Sequence, residues 1–133
     1  MRIFVGSYSI PSEWTGTPYG HGEGIVSVVP DRGDVDVSEV ARREVNPSFL
    51  VAEPAASRLW AITEPEHGGD VVCFGVDAGV PTEVLRRVPT GRDAPCHLTV
   101  ADDVVLVSHY HGGAVVVIGR DTEGLPAGVL ATL

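Results

Sequence analysis

Lysine is absent from this sequence, and its nine basic residues, all arginines, stand against 18 acidic residues and a formal net charge of −9. The longest basic runs are the pairs Arg42-Arg43 and Arg86-Arg87. Proteins bind nucleic acids and anionic membranes through clustered Lys and Arg side chains. Because the chain has no such cluster, neither class of partner is expected.

Long hydrophobic runs are absent as well. No segment approaches the ~18 consecutive apolar residues of a membrane-spanning helix, and the opening residues contain no apolar stretch of signal-peptide length. The two cysteines, Cys73 and Cys96, are far apart and form no Cys-x-x-Cys motif. We therefore expect two reduced thiols and a cytoplasmic location.

Aromatic residues make up only 6% of the chain, whereas hydrophobic residues make up 44%, with many valines, 16 glycines and 10 prolines. The branched side chain of Val packs well on a pleated sheet, while Gly and Pro favour turns. The apolar residues alternate or run continuously, and they do not recur at helical spacing over any long window. This pattern predicts an all-β protein without helices.

The sequence also repeats itself. Residues 70–77 align without a gap with residues 114–121, and residues 24–31 have the same length and the same final Asp. A glycine follows each final Asp within a few residues. This combination favours a tight turn, because Asp bonds to nearby backbone and Gly adopts positive φ. The spacing of the repeat, about 45 residues, is typical of a four-stranded β-propeller blade.

We divide the chain into three predicted blades, at residues 1–45, 46–93 and 94–133. With strands a to d counted outward from the ring axis, the second blade has strands at 48–53, 58–63, 70–77 and 82–88, the third at 96–101, 104–109, 114–120 and 128–133, and the first, lacking strand a, at 2–8, 24–30 and 38–45. The predicted fold is therefore a partial ring of about two and three-quarter antiparallel blades.

Motifs in these blades follow a set order. They are V-G-S-Y at 5–8 before G-I at 24–25, N-P-S-F-L at 46–50 before L-W-A-I-T-E at 59–64, and A-P-C-H-L at 94–98 before S-H-Y-H-G-G-A-V at 108–115. As an ordered set they resemble the seven-bladed lactonase family of β-propellers, which includes propeller-type 6-phosphogluconolactonases and fungal 3-carboxy-cis,cis-muconate cyclases. The resemblance covers essentially the whole chain and implies a lactone hydrolase.

Two residues depart from the family pattern. The family has Asn where this chain has Thr63 and His109. An amide at either position could line the central site, so the choice of substrate is left open. The family's following P-H-x-H segment, which contributes to its presumed active site, does not occur in this sequence.

The histidines are predicted to gather at one end of the blades. In a propeller, the loops that join strands d to a and b to c open on the same face. His21 and His67 fall in b–c loops, His109 and His111 lie where the third strand b passes into its loop, and His97 opens the third strand a. A functional surface at this face is one explanation, and the general polarity of strand ends is the other.

Lactone hydrolysis needs a base that takes a proton from water and hydrogen-bond donors that stabilise the oxyanion. A phosphorylated substrate also needs a cation that binds its phosphate. His97 is the candidate base, because imidazole is the side chain best suited to proton transfer near neutral pH and this one is predicted to point towards the channel. Glu64 is a second candidate acid/base group, and Arg92 a candidate anion anchor. Each residue also has a purely structural explanation. His97 could bond to nearby backbone, Glu64 could be a solvated loop carboxylate, and Arg92 could be an ordinary surface charge. The other candidate substrate-binding residues, chosen by position, are Asn46, Ser48, Cys96, His109, Tyr110, His111, His67 and His21.

Other site chemistries are disfavoured. His109 and His111 share one side of a strand, but the further ligands and supporting groups that zinc needs cannot be named. The glycine-rich segment 20–24 does not lie between a strand and a helix, as a phosphate-binding loop would. Cys96 is a poor nucleophile because the next residue, His97, points to the opposite strand face. Neither a metal nor a cofactor is expected.

Three functions remain open at this stage. The first is hydrolysis of a sugar lactone, 6-phosphogluconolactone by resemblance, and the second is a muconate-cyclase-like lyase reaction. The third is a non-catalytic fragment or interaction module. The chain offers no segment for the missing inner strand of the first blade, so we expect an incomplete ring that is inactive alone. Open blade edges expose backbone groups and apolar faces, and we expect them to favour self-association.

Overall fold

The computed structural model describes residues 2–11, 21–31 and 34–133, leaving aside the side chains of residues 31 and 34–39. These residues form eleven strands in three antiparallel sheets. The first sheet contains β1 (Ile3–Gly6), β2 (Ile25–Asp31) and β3 (Asp34–Arg42). The second contains β4 (Pro47–Glu53), β5 (Arg58–Thr63), β6 (Asp70–Asp77) and β7 (Val80–Pro89). The third contains β8 (Pro95–Val100), β9 (Val104–His109), β10 (Ala114–Arg120) and β11 (Pro126–Thr132).

Strands within each sheet lie side by side in chain order, and every neighbouring pair is antiparallel. Short connections suit this arrangement, because antiparallel neighbours can be joined by tight turns. The part of the chain that the structure describes has no α-helix, only a 3₁₀ turn at Pro54–Ala56 between β4 and β5. The predicted all-β partial propeller is therefore confirmed.

Three strand ends in the first sheet differ from prediction by two residues or more. The first strand, predicted at 2–8, ends at Gly6, and the third, predicted at 38–45, begins at Asp34 and ends at Arg42. Asp31 pairs directly with Asp34, so the ladder of β2 and β3 continues to the turn. The third strand therefore begins four residues closer to the turn than predicted.

A buried apolar layer joins the first sheet to the second. Ile25 of β2 packs against Leu59, Ala61, Val72 and Phe74 of the second sheet, and all five are almost completely buried. Side chains alternate between the two faces of a strand, so residues on β5 and β6 contribute in turn to opposite layers. This layer uses one face of the second sheet.

The opposite face of the second sheet packs against the third sheet. Trp60 and Ile62 of β5 alternate with Leu59 and Ala61 and face the other way. The buried members of this second layer are Trp60, Ile62, Val71, Cys73, Val88, Leu98, Val105, Val107, Val116, Ile118 and Leu125. Burying one large apolar side chain contributes roughly 1.5–3 kcal/mol, so the middle sheet is stabilised from both faces.

A polar network centred on Glu53 also connects the second and third sheets. Its carboxylate accepts hydrogen bonds from Trp60 Nε1 at 2.9 Å and from Arg120 Nη2 at 2.8 Å. The Arg120 guanidinium lies 5.2 Å from the centre of the Trp60 ring. Burial alone would raise the pKa of Glu53, but these hydrogen bonds outweigh it and lower the pKa below its usual value. The Glu53 network therefore holds an ionised carboxylate between two sheets.

Candidate functional site

The connections between sheets and those between the second and third strands of a sheet meet at one end of the molecule. Backbone hydrogen bonds join them: Glu64 N donates to Asn46 O, Thr90 N to Gly69 O, and Tyr110 N to Ala94 O. We call this end the loop face, formed by the connections at 43–46, 64–69, 90–94 and 110–113. The opposite end carries the Glu53 network.

Asn46 holds the first two sheets together at the loop face. It is completely buried, and its φ of 41° lies in the left-handed region that Asn tolerates better than most residues. Its Oδ1 accepts hydrogen bonds from the backbone of Ser9 and Ile10, and its Nδ2 donates to the carbonyl oxygen of Glu64. The Asn46 amide, predicted to bind substrate, is thus engaged within the protein.

Tyr8 and Glu64 form a direct side-chain pair across the first two sheets. The Tyr8 hydroxyl donates to Glu64 Oε2 at 2.6 Å, and the Glu64 residue is only 8% exposed. Burial, followed by the hydrogen bond to Glu64, raises the pKa of Tyr8 well above its ordinary value. Tyr8 is therefore a stable donor that fixes the orientation of the Glu64 carboxylate.

The third sheet brings Cys96 and His97 to the same region. Cys96 is exposed, its thiol lies 3.4 Å from the carbonyl oxygen of Ser108, and it acts electrostatically on Tyr8. The His97 ring is exposed and its centre lies 4.4 Å from that of Phe49, on the innermost strand of the second sheet. Ser48 on that strand donates to the carbonyl oxygen of Pro95 at 3.4 Å. His97 therefore presents an accessible imidazole beside the innermost strands.

His109 is buried rather than open to a ligand. Its ring nitrogen Nδ1 lies 2.8 Å from the carbonyl oxygen of Asp93, and a carbonyl can only accept, so Nδ1 carries the proton. The other nitrogen, Nε2, is buried without a hydrogen-bond partner. Thr63, the other departure from the family pattern, is also buried and accepts the backbone N–H of Asp70. Both side chains thus bond to nearby backbone at the ends of their strands.

Asp93 organises the neighbouring connection. Its Oδ1 accepts the backbone N–H of Gly68, and its Oδ2 lies 3.9 Å from Nδ1 of the exposed His67 ring. The carbonyl oxygen of Asp93 also bonds to His109. Asp93 therefore connects the loop at 64–69 of the second sheet with the end of β9 in the third sheet. His67 is thereby placed at the surface of the loop face, next to a carboxylate.

The remaining candidates lie on the connections themselves. Arg92 is exposed in the connection before β8, and His21 is exposed in the connection before β2. Tyr110 is 77% exposed, and its ring meets the half-buried His111 ring edge-on, with 5.3 Å between centres. The described residues contain no group of three or more His, Cys, Asp or Glu side chains arranged to hold a metal ion.

Tyr8 and Asp93 are the two residues that sequence reasoning did not select. A signal existed for Tyr8, because it ends the V-G-S-Y motif at 5–8 that matches the family pattern. No comparable signal marked Asp93, whose importance depends on contacts with Gly68 and His109 from other loops.

Comparison with known proteins agrees with this architecture. The family model of lactonases with a seven-bladed β-propeller matches residues 2–132. The chain belongs to the lactonase family of seven-bladed β-propellers. No curated protein matches it.

Solved structures share this lactonase fold at low sequence identity. A candidate 6-phosphogluconolactonase from Bacteroides uniformis superposes with a TM-score of 0.80 at 20% identity, covering 99% of this chain and 37% of that one. A similar candidate 6-phosphogluconolactonase from Bacteroides fragilis superposes with a TM-score of 0.79 at 20% identity, covering 99% of this chain and 35% of that one. The periplasmic gluconolactonase of Pseudomonas aeruginosa superposes with a TM-score of 0.79 at 21% identity, covering 99% of this chain and 38% of that one. This lactonase-family chain therefore spans less than two fifths of the length of these relatives.

Proposed function

We propose that this chain supplies three blades of a lactone hydrolase that acts on a phosphorylated sugar lactone of the 6-phosphogluconolactone type. The observations that carry the proposal are the Tyr8–Glu64 hydrogen bond at the loop face and the exposed His97 ring, which lies 4.4 Å from the Phe49 ring on the innermost strand of the second sheet. Membership of the lactonase family and the names of the structural relatives support the same chemistry.

His97 is the proposed base. Its ring is exposed, and neither ring nitrogen forms a hydrogen bond within the described part of the chain, so one is available to accept a proton. Water attacks the lactone carbonyl carbon as its proton passes to His97, which leaves a tetrahedral oxyanion. The ring C–O bond then breaks, the released alkoxide receives the proton held by His97 by way of Glu64, and a free hydroxy acid forms while His97 returns to its neutral form. The proposed reaction steps use no cofactor.

Glu64 is the proposed second acid/base group, with Tyr8 as its positioning residue. The hydrogen bond from Tyr8 occupies Oε2 and fixes the carboxyl plane, which leaves Oε1 as the atom that can exchange a proton with the leaving oxygen. A positioned carboxyl contributes to proton transfer only if its geometry is held. Burial of Tyr8 keeps its hydroxyl protonated, so the hydrogen bond persists at neutral pH.

Arg92 is the proposed anchor for the substrate phosphate. It is exposed on the connection between the second and third sheets, five residues before His97. A guanidinium can bind phosphate oxygens in a bidentate manner. In a chain with a net charge of −9, a local cation is needed to hold an anionic substrate near the base. A substrate without phosphate should bind more weakly.

The proposed active unit contains more than these three blades. The described strands form three sheets, whereas the family has seven, so the chain alone does not enclose a central channel. Without a closed channel, water is poorly excluded and the groups opposite His97 are missing. The isolated chain is therefore expected to be inactive.

The test compares the 133-residue chain with a ring-length version on three substrates. Acid release from 6-phosphogluconolactone and from gluconolactone is followed in a pH-stat, and conversion of 3-carboxymuconate by ultraviolet absorbance. We expect hydrolysis by the longer form alone, fastest with the phosphorylated lactone. Turnover of the muconate in place of the lactones would identify a cyclase, and no turnover by either form would identify a non-catalytic module.

The proposed location is the cytoplasm. Both cysteines are free, Cys73 in the core and Cys96 at the surface, as in a reducing compartment. No helix in the described residues is long and apolar enough to cross a membrane. One relative is a periplasmic enzyme, so fractionation of source cells is the deciding measurement. Recovery of the protein with periplasmic markers would refute the cytoplasmic proposal.

A further inference from the structure

Arg92 lies on a short connection, residues 90–94, whose backbone is held by buried side chains. At its first residue, the Thr90 hydroxyl oxygen lies 3.0 Å from the carbonyl oxygen of Gly69 and 3.1 Å from that of Arg92. The same oxygen accepts the backbone N–H of Arg92 at 3.4 Å, and Thr90 is only 2% exposed. The backbone of Arg92 is therefore tied to the second sheet, whereas its side chain is exposed.

His109 holds the other end of this connection from the third sheet. Its Nδ1–H donates to the carbonyl oxygen of Asp93 at 2.8 Å, and the residue is only 4% exposed. The next residue, Ala94, has a φ of 51°, a left-handed conformation that alanine keeps only where its surroundings fix it. Arg92 thus lies between two buried anchors, Thr90 and His109.

The second ring nitrogen of His109 sets a condition on this anchor. Nε2 is buried and has no hydrogen-bond partner among the described residues. His109 continues the alternation of Val105 and Val107, which pack on the second sheet, so its surroundings do not depend on further blades. A second proton would turn Nε2 into a buried N–H without an acceptor, which costs free energy. The anchor therefore requires a neutral imidazole.

The charged groups around His109 leave Nε2 without an acceptor. On the elements next to its ring, the acidic residues are Glu64, Glu66, Asp70 and Asp93, and the residues with imidazole or guanidinium groups are His67, Arg92, His97 and His111. The Asp93 carboxylate accepts the backbone N–H of Gly68 and lies 3.9 Å from His67. No carboxylate in the described part of the chain pairs with Nε2, so a second proton on His109 is not compensated.

We propose that neutral His109 is a positioning residue for the anionic end of the substrate, because it holds the connection that carries Arg92. This inference rests on the proposed function, in which Arg92 anchors the substrate phosphate. A guanidinium on a fixed backbone loses less conformational freedom when it binds phosphate. If the connection is released, Arg92 occupies its binding position for only a fraction of the time, and the apparent affinity falls by that fraction.

The test measures binding of 6-phosphogluconate, the stable product of the proposed reaction, and of gluconate, which lacks the phosphate. Isothermal titration calorimetry with the ring-length protein gives both dissociation constants without turnover, whereas acid release from the lactone reports hydrolysis separately. A failure of the proposed hydrolysis is therefore distinguishable from a failure of this inference. The unmodified protein should prefer the phosphorylated ligand, and equal affinities would overturn the inference.

Two substitutions of His109 separate its hydrogen bond from its packing. His109→Leu fills a similar volume without a donor, whereas His109→Asn keeps an N–H on a δ atom and cannot gain a positive charge. If the released connection is in place about one tenth of the time, His109→Leu should weaken 6-phosphogluconate binding about 10-fold and gluconate binding less than about 2-fold. His109→Asn should restore the affinity at neutral pH. Equal weakening for both ligands would leave His109 a purely structural role.

Thr82→Val is the matched control for the loss of one hydrogen bond. Thr82 Oγ1 donates to the carbonyl oxygen of Gly75 at 3.1 Å across the turn between β6 and β7, at the end opposite the loop face. This variant should leave both dissociation constants unchanged. Melting curves verify that each variant is folded.

The pH dependence tests the requirement for a neutral imidazole. Histidine and the phosphate of the ligand both titrate in weakly acidic solution, so the unmodified protein is compared with His109→Asn at each pH. From about pH 7.5 to about pH 5.5, the unmodified protein should lose several-fold more affinity for 6-phosphogluconate than His109→Asn does. Parallel curves would contradict the requirement.

A double-mutant cycle with Arg92→Gln decides whether His109 acts through Arg92. Arg92→Gln removes the anchor itself, so the addition of His109→Leu should cause no further loss of 6-phosphogluconate binding. This result would place both residues on one path to the phosphate. Losses that multiply in the double variant would overturn the proposal.

Discussion

At the scale of single residues, the loop face combines groups that are fixed with groups that are free. Asn46, Asp93 and His109 use their polar atoms to join loops, although two of them were predicted to bind substrate. His97 remains exposed and Glu64 is held by Tyr8. The structure therefore separates residues that build the loop face from those offered to a ligand.

The Tyr8–Glu64 hydrogen bond is expected to stabilise the fold. Tyr8→Phe removes the donor and leaves a largely buried carboxylate oxygen without its partner, which costs roughly 1–3 kcal/mol in the free energy of unfolding. Urea unfolding at one protein concentration measures the loss. Tyr110→Phe is the control, because Tyr110 is 77% exposed and its loss should be below about 0.5 kcal/mol.

The pH dependence of the same variant follows from the raised pKa of Tyr8. The native state holds the phenolic proton more tightly than the unfolded chain, in which Tyr titrates near its ordinary pKa of 10.0. This contribution is complete below that pH and decreases as the pH rises above it. The unmodified protein should therefore lose stability faster than Tyr8→Phe in alkaline solution, and parallel curves would contradict the assigned hydrogen bond.

At the scale of strands and sheets, side-chain alternation determines which residues meet. Leu59 and Ala61 join one apolar layer, while Trp60 and Ile62 join the other. The ends of the sheets are then fixed by polar contacts, with Asn46 and Tyr8 at the loop face and Glu53 at the opposite end. Neighbouring sheets are thus held by an apolar layer between two polar ends.

The Glu53 network is expected to make stability sensitive to acid. Glu53→Gln keeps the shape but weakens the charge-assisted bond to Arg120, at a cost of about 1–2 kcal/mol because the site is partly exposed. Thermal melting near neutral pH measures this loss. The matched control is Glu83→Gln, an exposed carboxyl on the outer strand β7.

The sign of the acid effect follows from the lowered pKa of Glu53. The native state holds the carboxylate ionised, so its contribution is present above the unfolded pKa of about 4.5 and decreases as the pH falls through the native value. Melting temperatures of Glu53→Gln and the unmodified protein should converge in acid. A constant difference down to strongly acidic pH would contradict the network.

Strand positions could be predicted from the sequence because the repeat and the alternation of apolar residues are local signals. Even the burial of His109 was signalled, since it shares the alternation of Val105 and Val107 on β9. The Tyr8–Glu64 pair could not be predicted, because its partners are 56 residues apart and meet only when two sheets pack. The start of β3 was missed because its first residues are held by pairing with β2, from Asp31–Asp34 onward, and not by a local sequence signal.

At the scale of the whole molecule, three sheets pack on one another through two apolar layers, and the loop face at one end carries the candidate chemistry. The chain covers less than two fifths of the length of the relatives it matches, so the loop face shows one side of the proposed active site. The groups on the other side would come from further blades. Catalysis and closure of the ring are therefore expected to appear together.

The most direct measurement is the rate of acid release from 6-phosphogluconolactone by the ring-length protein and its His97→Gln variant. If His97 accepts the proton of the attacking water, the variant should lose roughly 10²–10⁴-fold in kcat while keeping its melting temperature. Glu83→Gln, on the outer strand β7 and away from the loop face, serves as the folded control with near-normal turnover. Equal rates for the His97→Gln variant and the unmodified enzyme would contradict the account.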